Sequence, residues 1–208
     1  MPSVSVIIIA KNESALSARC LESVKWANEI IVLDSGSSDN TVEIAKKYTQ
    51  HVYTTDWPGY GIQKQRALMK ATGDWVLNID ADEEVTEELK NKLLEVIESP
   101  IDACRIPIRM MFYQKMMKYS WCPMNHIRFF RRKGASYSNV IVHESIQLPK
   151  NSRVIKIKES LKHYCFRDFN HALYKINRYS SSTAYIRRQN KKSTSLLKAI
   201  FASLWMFI

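Results

Sequence analysis

Residues 75–84 read Trp-Val-Leu-Asn-Ile-Asp-Ala-Asp-Glu-Glu, an apolar run that ends in a cluster of acids. Trp75 to Ile79 is short and mostly apolar, which is typical of a buried β-strand. Four carboxylates follow within five residues, namely Asp80, Asp82, Glu83 and Glu84. Ligands of open α/β sheets usually bind where the strands end, so this stretch predicts a binding site.

The spacing of the first two acids indicates a cation site. Asp80 and Asp82 are two residues apart, so in extended geometry their side chains point the same way. Such like charges repel unless a cation lies between them. Mg²⁺ and Mn²⁺ prefer oxygen ligands and often join protein carboxylates to substrate phosphates. Alternatively, residues 82–84 simply open the next helix, because acids favour a helix N-terminus. This alternative explains Asp80 poorly, since Asp80 still belongs to the strand.

The composition is that of a folded, basic protein. The 208 residues are enough for one substantial domain, and 46% hydrophobic with 25% charged residues excludes a disordered chain. The net charge of +11 indicates an anionic partner, which can be nucleic acid, an acidic membrane surface or a phosphorylated substrate. Residues 29–100 are rich in acids, whereas residues 105–198 carry most of the Arg and Lys.

Cysteine usage and hydropathy indicate a cytoplasmic protein. The four cysteines are scattered without a CxxC pair, which argues against a zinc ribbon or a redox motif. Val4 to Ile9 is too short for a secretory signal and lacks a basic segment before it. No window of ~18 uninterrupted apolar residues exists, so no transmembrane helix is predicted. We therefore expect reduced thiols.

Strands and helices alternate four times before residue 100. The predicted strands are Val4–Ala10, Glu29–Asp34, Val52–Thr54 and the run from Trp75, each followed by a helical pattern. Such alternation predicts a mostly parallel, Rossmann-like sheet with helices on both faces. After residue 100 the strands become longer, and a helix is predicted over 168–188. This half predicts a mixed extension of the same sheet.

The pattern divides the chain into three parts. Residues 1–100 and residues 101–186 are expected to form two halves of the same domain. Residues 187–208 begin basic and end apolar, which suits an amphipathic helix in a membrane interface. The alternative is an ordinary C-terminal helix packed on the core. The abrupt apolar end is compatible with truncation of a longer protein.

Polar residues follow three of the predicted strands. These are Lys11-Asn12-Glu13, Asp34-Ser35-Gly36 and Asp80-Ala81-Asp82. In a doubly wound sheet the three ends lie along one edge. Asp34 can accept hydrogen bonds from a base or ribose, while Asp80 and Asp82 hold a metal against a diphosphate. The chain lacks both G-x-x-x-x-G-K-[ST] and G-x-G-x-x-G, so this would be a nucleotide site without a Walker motif.

These stretches resemble a known family. Val-Ser-Val-Ile-Ile-Ile-Ala-Lys-Asn-Glu, Ile-Ile-Val-Leu-Asp-Ser-Gly-Ser-Ser-Asp and Trp-Val-Leu-Asn-Ile-Asp-Ala-Asp-Glu are similar to the N-terminal blocks of family 2 glycosyltransferases, which have the GT-A fold. The closer resemblance is to the lipopolysaccharide core β-1,4-glucosyltransferase group. It extends over residues 3 to about 195 through four further stretches, at 59–64, 142–145, 161–164 and 177–180. Members of this group usually continue for several dozen residues more.

The resemblance implies a site and a reaction. A hexose, most simply glucose from UDP-glucose, would be transferred with inversion at its anomeric carbon. Residues 1–100 would bind the nucleotide-sugar, and residues 101–186 would bind the acceptor and carry the catalytic residue. The residues implied to bind the nucleotide-sugar are Ala10, Asn12, Glu13, Asp34, Lys64, Asp80 and Ala81. Mg²⁺ or Mn²⁺ would be positioned by Asp80 and Asp82, with Asp82 favoured for direct ligation. Glu144 is the candidate base that takes the acceptor's proton; its alternative is a surface glutamate.

Several other side chains have two interpretations. His163 is either a structural histidine or a contact to the metal or diphosphate. His143 orients Glu144 or is likewise structural. One arginine of the cluster Arg128, Arg131 and Arg132 would meet a diphosphate or a phosphorylated acceptor, the others being solvated. Residues 121–124 line an acceptor cleft or, for Met124 above all, pack in the core.

The expected partners follow from this interpretation. They are a UDP-sugar donor, a lipid-linked saccharide acceptor such as lipopolysaccharide core, and the anionic inner face of a bacterial inner membrane, on which the protein would be peripheral. The alternatives are a nucleotidyltransferase acting on a sugar phosphate and a non-catalytic nucleic-acid binder. Nucleic acid is not expected as a partner, because no recognition module is present. The sequence leaves open the donor sugar, the acceptor hydroxyl and the oligomeric state.

Overall fold

The structure is a computed structural model that describes residues 2–112, 115–117, 124–138, 145–166, 168–189, 195 and 197. The first half alternates strands and helices: β1 Val4–Ala10, α1 Ser14–Ser23, β2 Glu29–Asp34, α2 Thr41–Lys46, β3 Val52–Thr54, α3 Tyr60–Lys70, β4 Trp75–Asp80, β5 Glu83–Val85 and α4 Glu87–Ile97. The second half contains β6 Ala103–Phe112, β7 Lys115–Met116, β8 Met124–Arg131, β9 Ser136–Tyr137, β10 Ile146–Gln147, β11 Val154–Lys156, β12 Leu161–His163 and α5 Phe169–Gln189.

One sheet joins both halves. Its strand order is β3-β2-β1-β4-β8-β6-β12-β5, with β11 and β7 also paired to β6. Strands β1 to β4 are mutually parallel, whereas β8 runs antiparallel to both β4 and β6. The predicted parallel sheet with a mixed extension is therefore confirmed. Most of residues 140–146 lies outside the described residues, and β10 begins at Ile146.

Helices cover both faces of the sheet because β1 is apolar on both. Val6 and Ile8 pack in one core cluster with Leu21 of α1 and Leu89 of α4. Ile7 and its neighbours on the opposite face pack with Ala67 and Leu68 of α3. A strand buried on both faces reads as a continuous apolar run, which is what the sequence of β1 shows. Within the described residues, no helix combines the length and apolar character needed to cross a bilayer.

Candidate functional site

The carboxyl ends of β1, β2 and β4 lie side by side. The register pairs Ala10 with Asp34 and Ile9 with Asp80. The Ser35 amide, just beyond β2, donates to the Ala10 carbonyl at 2.9 Å. The three polar strand ends recognised in the sequence therefore form one edge, at which ligands of open α/β sheets bind.

The Asp34 carboxylate organises the turn after β2. Asp34 is buried, and its Oδ2 accepts the Gly36 and Ser37 amides at 2.9 Å each, while the Ser37 hydroxyl donates to Oδ1. Gly36 has φ +78°, a conformation that glycine adopts without steric cost. An ionised carboxylate has about four acceptor positions, so about one remains free on Asp34. Its assigned contact to a base or ribose stays a prediction.

Asn12 links the first two strand ends. Its backbone has φ +57°, and its amide N–H donates to the Ser37 Oγ at 2.8 Å. Its side-chain Oδ1 accepts the Ser38 amide at 2.8 Å. Glu13 follows, and its amide donates to the Thr41 hydroxyl at 2.9 Å. Asn12 and Glu13 thus lie at the predicted edge, and their contact to the nucleotide-sugar stays a prediction.

The two aspartates of the opening stretch have different partners. Strand β4 ends at Asp80 and residues 81–82 form a turn, so the two-residue spacing does not place both side chains on one side of a strand. Asp80 Oδ2 accepts Arg128 Nη2 at 3.0 Å, and its Oδ1 is 3.7 Å from Lys64 Nζ. Asp82 Oδ2 lies 3.1 Å from His163 Nε2. The sequence suggested that a metal offsets the repulsion between Asp80 and Asp82. In the structure the positively charged side chains of Arg128 and Lys64 offset much of it.

Arg128 is the centre of a buried charge network. It is 6% exposed, and its Nη2 also donates to Glu83 Oε1 at 3.1 Å. Glu83 is 1% exposed, and its Oε2 accepts the backbone amide of Asp80 at 2.8 Å. Arg128 thus connects the last residue of β4 to the first residue of β5. Its Nε and Nη1 are buried and have no hydrogen-bond acceptor among the described residues.

Burial and neighbouring charges shift the acids of this network in opposite directions. Burial raises the pKa of Glu83 to about 7, and the nearby Asp80 charge adds to this effect, although Arg128 opposes it. Burial also favours a higher pKa for Asp80, but the charges of Arg128 and Lys64 outweigh it and hold that pKa well below its ordinary value. Asp80 is therefore the firmly ionised acid, which Lys64 and Arg128 keep in place.

His163 reaches the acid cluster through strand pairing. Strand β12 runs antiparallel to β5, so that His163 lies opposite Glu83, and the Tyr164 amide donates to the Asp82 carbonyl at 2.9 Å. Burial lowers the pKa of His163, but the hydrogen bond to Asp82 and the surrounding acids raise it overall. Its Nδ1 is buried without a partner among the described residues. The structure thus brings His163 to Asp82, an arrangement that both interpretations of this histidine allow.

Asp82 and His163 together fit a divalent cation. A carboxylate oxygen and an imidazole nitrogen 3.1 Å apart are both accepted ligand types for Mn²⁺. Among the described residues, no group of three or more His, Cys, Asp or Glu side chains is arranged to hold a metal. A cation at this position would therefore need further ligands from a substrate or water, as Mg²⁺ commonly takes them from phosphates. Asp80 is less suited to direct ligation, because Arg128 and Lys64 engage it.

Glu83 and Glu84 do not open a helix, and that interpretation is wrong. Both lie in β5, and α4 begins only at Glu87, with the Thr86 hydroxyl accepting the Leu89 amide at 3.2 Å. Glu84 has its own partners, Lys162 Nζ at 2.9 Å and the Tyr164 hydroxyl at 2.7 Å. Successive residues of a strand point to opposite faces, which separates Glu84 from the Glu83–Arg128 network.

The expectation that the arginines without a phosphate contact are solvated is wrong for Arg128. Arg128 is buried and pairs with the carboxylates of Asp80 and Glu83, and Arg131 pairs with Asp102 at 3.3 Å. Arg132 donates to the Gly73 carbonyl at 2.6 Å. The role of Arg128 was missed by the sequence interpretation. The available signal was that Arg128 shares a strand face with Phe130, and a charge on an apolar face needs charged partners.

Several expected site residues lie outside the described residues. These are Trp121, Cys122, Pro123, His143 and the candidate base Glu144. Of the remaining ones, Lys64 is buried on α3 beside Asp80, and Ala10 and Ala81 are buried next to the strand ends. The nucleotide half of the predicted site is thus assembled around one edge, while the assignment of Glu144 stays a prediction.

Comparison with known proteins identifies the family. Residues 5–192 match the family model "Glycosyl transferase family 2". The chain is 33% identical over 221 residues to an uncharacterised glycosyltransferase of Rickettsia prowazekii, an alignment that covers 100% of this chain and 76% of the relative. It is 30% identical over 208 residues to the lipopolysaccharide core biosynthesis glycosyltransferase LpsC of Rhizobium meliloti, which covers 95% of this chain and 76% of LpsC.

A solved structure agrees on the fold. Residues 1–349 of S. aureus TarS superpose with a TM-score of 0.57 at 17% identity, covering 78% of this chain and 60% of the TarS fragment. At that identity the likeness speaks for the fold alone, which is the GT-A fold. The family model, the two relatives and the fold agree, and the chain belongs to the family 2 glycosyltransferases, a family of transferase enzymes.

Proposed function

We propose that this protein transfers a hexose, most simply glucose from UDP-glucose, to a lipid-linked saccharide such as lipopolysaccharide core. The transfer inverts the anomeric carbon and depends on Mg²⁺ or Mn²⁺. The observation that carries the proposal is the Asp82–His163 pair, 3.1 Å apart and next to the Lys64–Asp80 pair at the strand edge of a family 2 fold. The acceptor class is supported by the name of the relative LpsC, a lipopolysaccharide core biosynthesis enzyme.

The donor is proposed to lie across the ends of β4, β1 and β2. Asp34, Asn12, Glu13 and the backbone at Ala10 serve the nucleoside end, where the turn after β2 is held by buried hydrogen bonds. Asp80, Ala81 and Lys64 serve the diphosphate and sugar end, where the Lys64 ammonium also offers a positive charge. Neighbouring strands are about 4.8 Å apart, so β2 and β4 are separated by about 10 Å.

The cation is proposed to bind between Asp82 and His163. When bound, it neutralises charge on the diphosphate as this leaves the sugar. The chain's own task there is to keep both ligands in place. The Asp82 carbonyl is fixed by the Tyr164 amide, and Asp80 is fixed by Arg128, so neither acid depends on the ligand for its position.

The acceptor is proposed to enter from the second half of the chain, with Glu144 taking the proton of the attacking hydroxyl. In this division residues 1–100 bind the donor, residues 101–186 the acceptor, and the basic-apolar residues 187–208 meet the anionic inner face of the bacterial inner membrane. The net charge of +11 supports attraction to such a surface. The enzyme is then cytoplasmic and peripheral.

A panel of nucleotide-sugars tests the donor and the reaction. The protein with Mn²⁺ is mixed separately with UDP-glucose, UDP-galactose, UDP-GlcNAc and GDP-mannose, and free nucleotide release and thermal stabilisation are measured. UDP-GlcNAc is included because the fold relative TarS has a solved complex with it. We expect release of free UDP with UDP-glucose, and a loss of that release when EDTA removes the metal. Release of pyrophosphate from UTP and a sugar phosphate would instead indicate a nucleotidyltransferase.

Glu144→Gln tests the proposed base. The amide keeps the shape of the side chain but cannot take a proton, so we expect turnover to fall by about 10²- to 10⁴-fold. The Kd for UDP, measured by calorimetry, should change less than about twofold. Turnover close to that of the unaltered protein would exclude Glu144 as the base. An equal loss of UDP binding would indicate a structural role instead.

A further inference from the structure

We propose that the first turns of α5 form a docking surface for an anionic bilayer and hold the strand edge of the site next to the lipid. This inference rests on the proposed function, whose acceptor is lipid-linked, and it adds the surface by which the described part of the chain meets the membrane. Phe169, Leu173 and Tyr174 begin α5 and are 59%, 49% and 62% exposed. These three side chains are called the α5 patch below.

The α5 patch lies on one side of its helix. An α-helix turns by about 100° per residue, so Leu173 and Tyr174 lie about 40° and about 140° around the axis from Phe169. Ala172 is 7% exposed and lies about 60° to the other side of Phe169. Of the α5 residues whose burial the structure describes, all except Ala172 are exposed, and those between Asn170 and Arg188 share the arc of the patch: Asn170, Asn177, Ser180, Ser181, Ala184 and Arg188. The helix thus presents a continuous exposed face, and clustered apolar side chains on such a face mark an interaction site.

The loop before α5 fixes the patch beside the site. Helix α5 begins six residues after His163, and the Tyr164 amide in this loop donates to the Asp82 carbonyl at 2.9 Å. The Phe166 ring packs edge-to-face against Phe112 at the end of β6, with the ring centroids 6.1 Å apart. The start of α5 is therefore tied to the same end of the sheet as the Asp82–His163 pair. A bilayer in contact with the patch lies next to this edge, where a lipid-linked acceptor has to present its hydroxyl.

Charge favours an anionic bilayer as the occupant of this surface. Residues 169–208 contain seven Lys and Arg and no Asp or Glu, so most of the net charge of +11 lies in this part of the chain. A second copy would bring two such basic segments together, which Coulomb repulsion disfavours. Nucleic acid would suit the charge but provides no apolar layer for Phe169 and Leu173. A membrane interface offers anionic headgroups above an apolar layer, and tyrosines such as Tyr174 are enriched there.

Vesicle binding by the full chain tests the proposal. Cosedimentation measures the affinity for vesicles of phosphatidylcholine alone and of phosphatidylcholine mixed with phosphatidylglycerol, each at low and high salt. Partial burial of two large apolar side chains is worth about a tenfold to hundredfold gain in affinity. We therefore expect the double variant Leu173→Ser with Tyr174→Ser to bind the mixed vesicles more weakly by about this factor. High salt or omission of phosphatidylglycerol should weaken the binding of the unaltered protein.

A matched control replaces an exposed apolar residue at the other end of the sheet. Met69 is 76% exposed and lies near the end of α3, six residues before β4 begins. Met69→Ser should change vesicle affinity less than about twofold. Tyr174→Trp should bind the mixed vesicles at least as tightly as the unaltered protein, because tryptophan also favours the membrane interface.

Thermal unfolding and UDP calorimetry show whether these variants keep their fold and donor site. Neither Leu173 nor Tyr174 belongs to the donor site, so the Kd for UDP should change less than about twofold in all variants. If the double variant unfolds, the single variant Tyr174→Ser takes its place, with an expected loss of vesicle affinity of about threefold to tenfold.

Several outcomes would overturn the inference. One is vesicle affinity of the folded serine variant within about twofold of the unaltered protein, and another is an equal loss in Met69→Ser. Tight binding of duplex DNA that the serine variant loses would assign the patch to nucleic acid. A dimer seen by analytical ultracentrifugation that the serine variant dissociates would assign it to a second copy.

The vesicle experiment also separates this inference from the proposed function. If the full chain ignores mixed vesicles at low salt, the proposed membrane association and the inference fail together. If the full chain binds them and the serine variant binds equally well, the inference fails alone. Absence of UDP release with every nucleotide-sugar would defeat the proposed reaction, whereas vesicle binding through the α5 patch would stand.

Discussion

Replacing Asp82 by asparagine is expected to lower sugar transfer by about 10³-fold or more and to remove the Mn²⁺ dependence of UDP binding. Asp82 offers the carboxylate that lies 3.1 Å from His163 Nε2. Asparagine keeps the shape of the side chain but removes its negative charge, which a divalent cation needs most. Losing several kcal/mol of charge stabilisation in the transition state corresponds to a thousandfold effect at about 1.4 kcal/mol per factor of ten.

The fold should survive this change, which makes the loss interpretable. The contact that Asp82 makes through its backbone, the carbonyl that accepts the Tyr164 amide, is kept in the variant. A matched control is Glu84→Gln, two residues further on, because Glu84 is held by Lys162 and Tyr164 and is not expected to meet the cation. Thermal unfolding, turnover and UDP titrations with and without Mn²⁺ are measured for both variants. Turnover of Asp82→Asn within about threefold of the unaltered protein would contradict the metal assignment.

The second large effect is expected at Arg128, where replacement by methionine should cost about 3–5 kcal/mol of unfolding free energy. Arg128 is buried and is bonded through Nη2 to both Asp80 and Glu83. Removing it leaves Glu83, which is 1% exposed, without its cationic partner, and an uncompensated buried charge is costly. Donor binding should weaken as well, because Asp80 loses the partner that fixes it beside Lys64.

Two further variants separate this charge effect from a general loss of packing. Arg131→Met on the same strand should cost no more than about 1 kcal/mol, since Arg131 is 41% exposed and its pair with Asp102 is screened by solvent. Adding Glu83→Gln to Arg128→Met should restore part of the lost stability, because glutamine at position 83 leaves no unpaired charge in the core. Urea unfolding measures all four proteins, including the double variant. Equal losses for Arg128→Met and Arg131→Met would refute the special role of the buried network.

Most of the fold was predictable from local sequence patterns. The β-branched run of β1, the alternation of strands and helices before residue 100 and the longer strands after it predicted a parallel sheet with a mixed extension. Such predictions succeed because apolar periodicity and strand length are properties of neighbouring residues. The helix-opening role offered for Glu83 and Glu84 was wrong because a local pattern does not show whether a segment pairs with a distant strand. Acids before a helix look alike in sequence whether they cap it or pair with another strand.

The part of the site that the strand ends form was predictable from the sequence. Asp34, Asp80 and the residues after β1 were placed at one edge because parallel strands end together, and the register of Ala10 with Asp34 and of Ile9 with Asp80 agrees. The division between Asp80 and Asp82 was not predictable. It depends on Arg128 and Lys64 reaching one acid and His163 the other, and these side chains come from strands and a helix far apart in the chain.

The sequence by itself therefore determined the family, the sheet and the edge at which chemistry is expected, because ordered motifs and periodic burial are written in consecutive residues. Only the tertiary structure decided that Asp80 is held by the protein's own cations while Asp82 faces His163. The physical reason is that electrostatic partners are chosen by distance in space, and β12 meets β5 through hydrogen bonds between residues about eighty positions apart. The acid cluster at residues 80–84 is one feature in the sequence and three separate pairings in the folded chain.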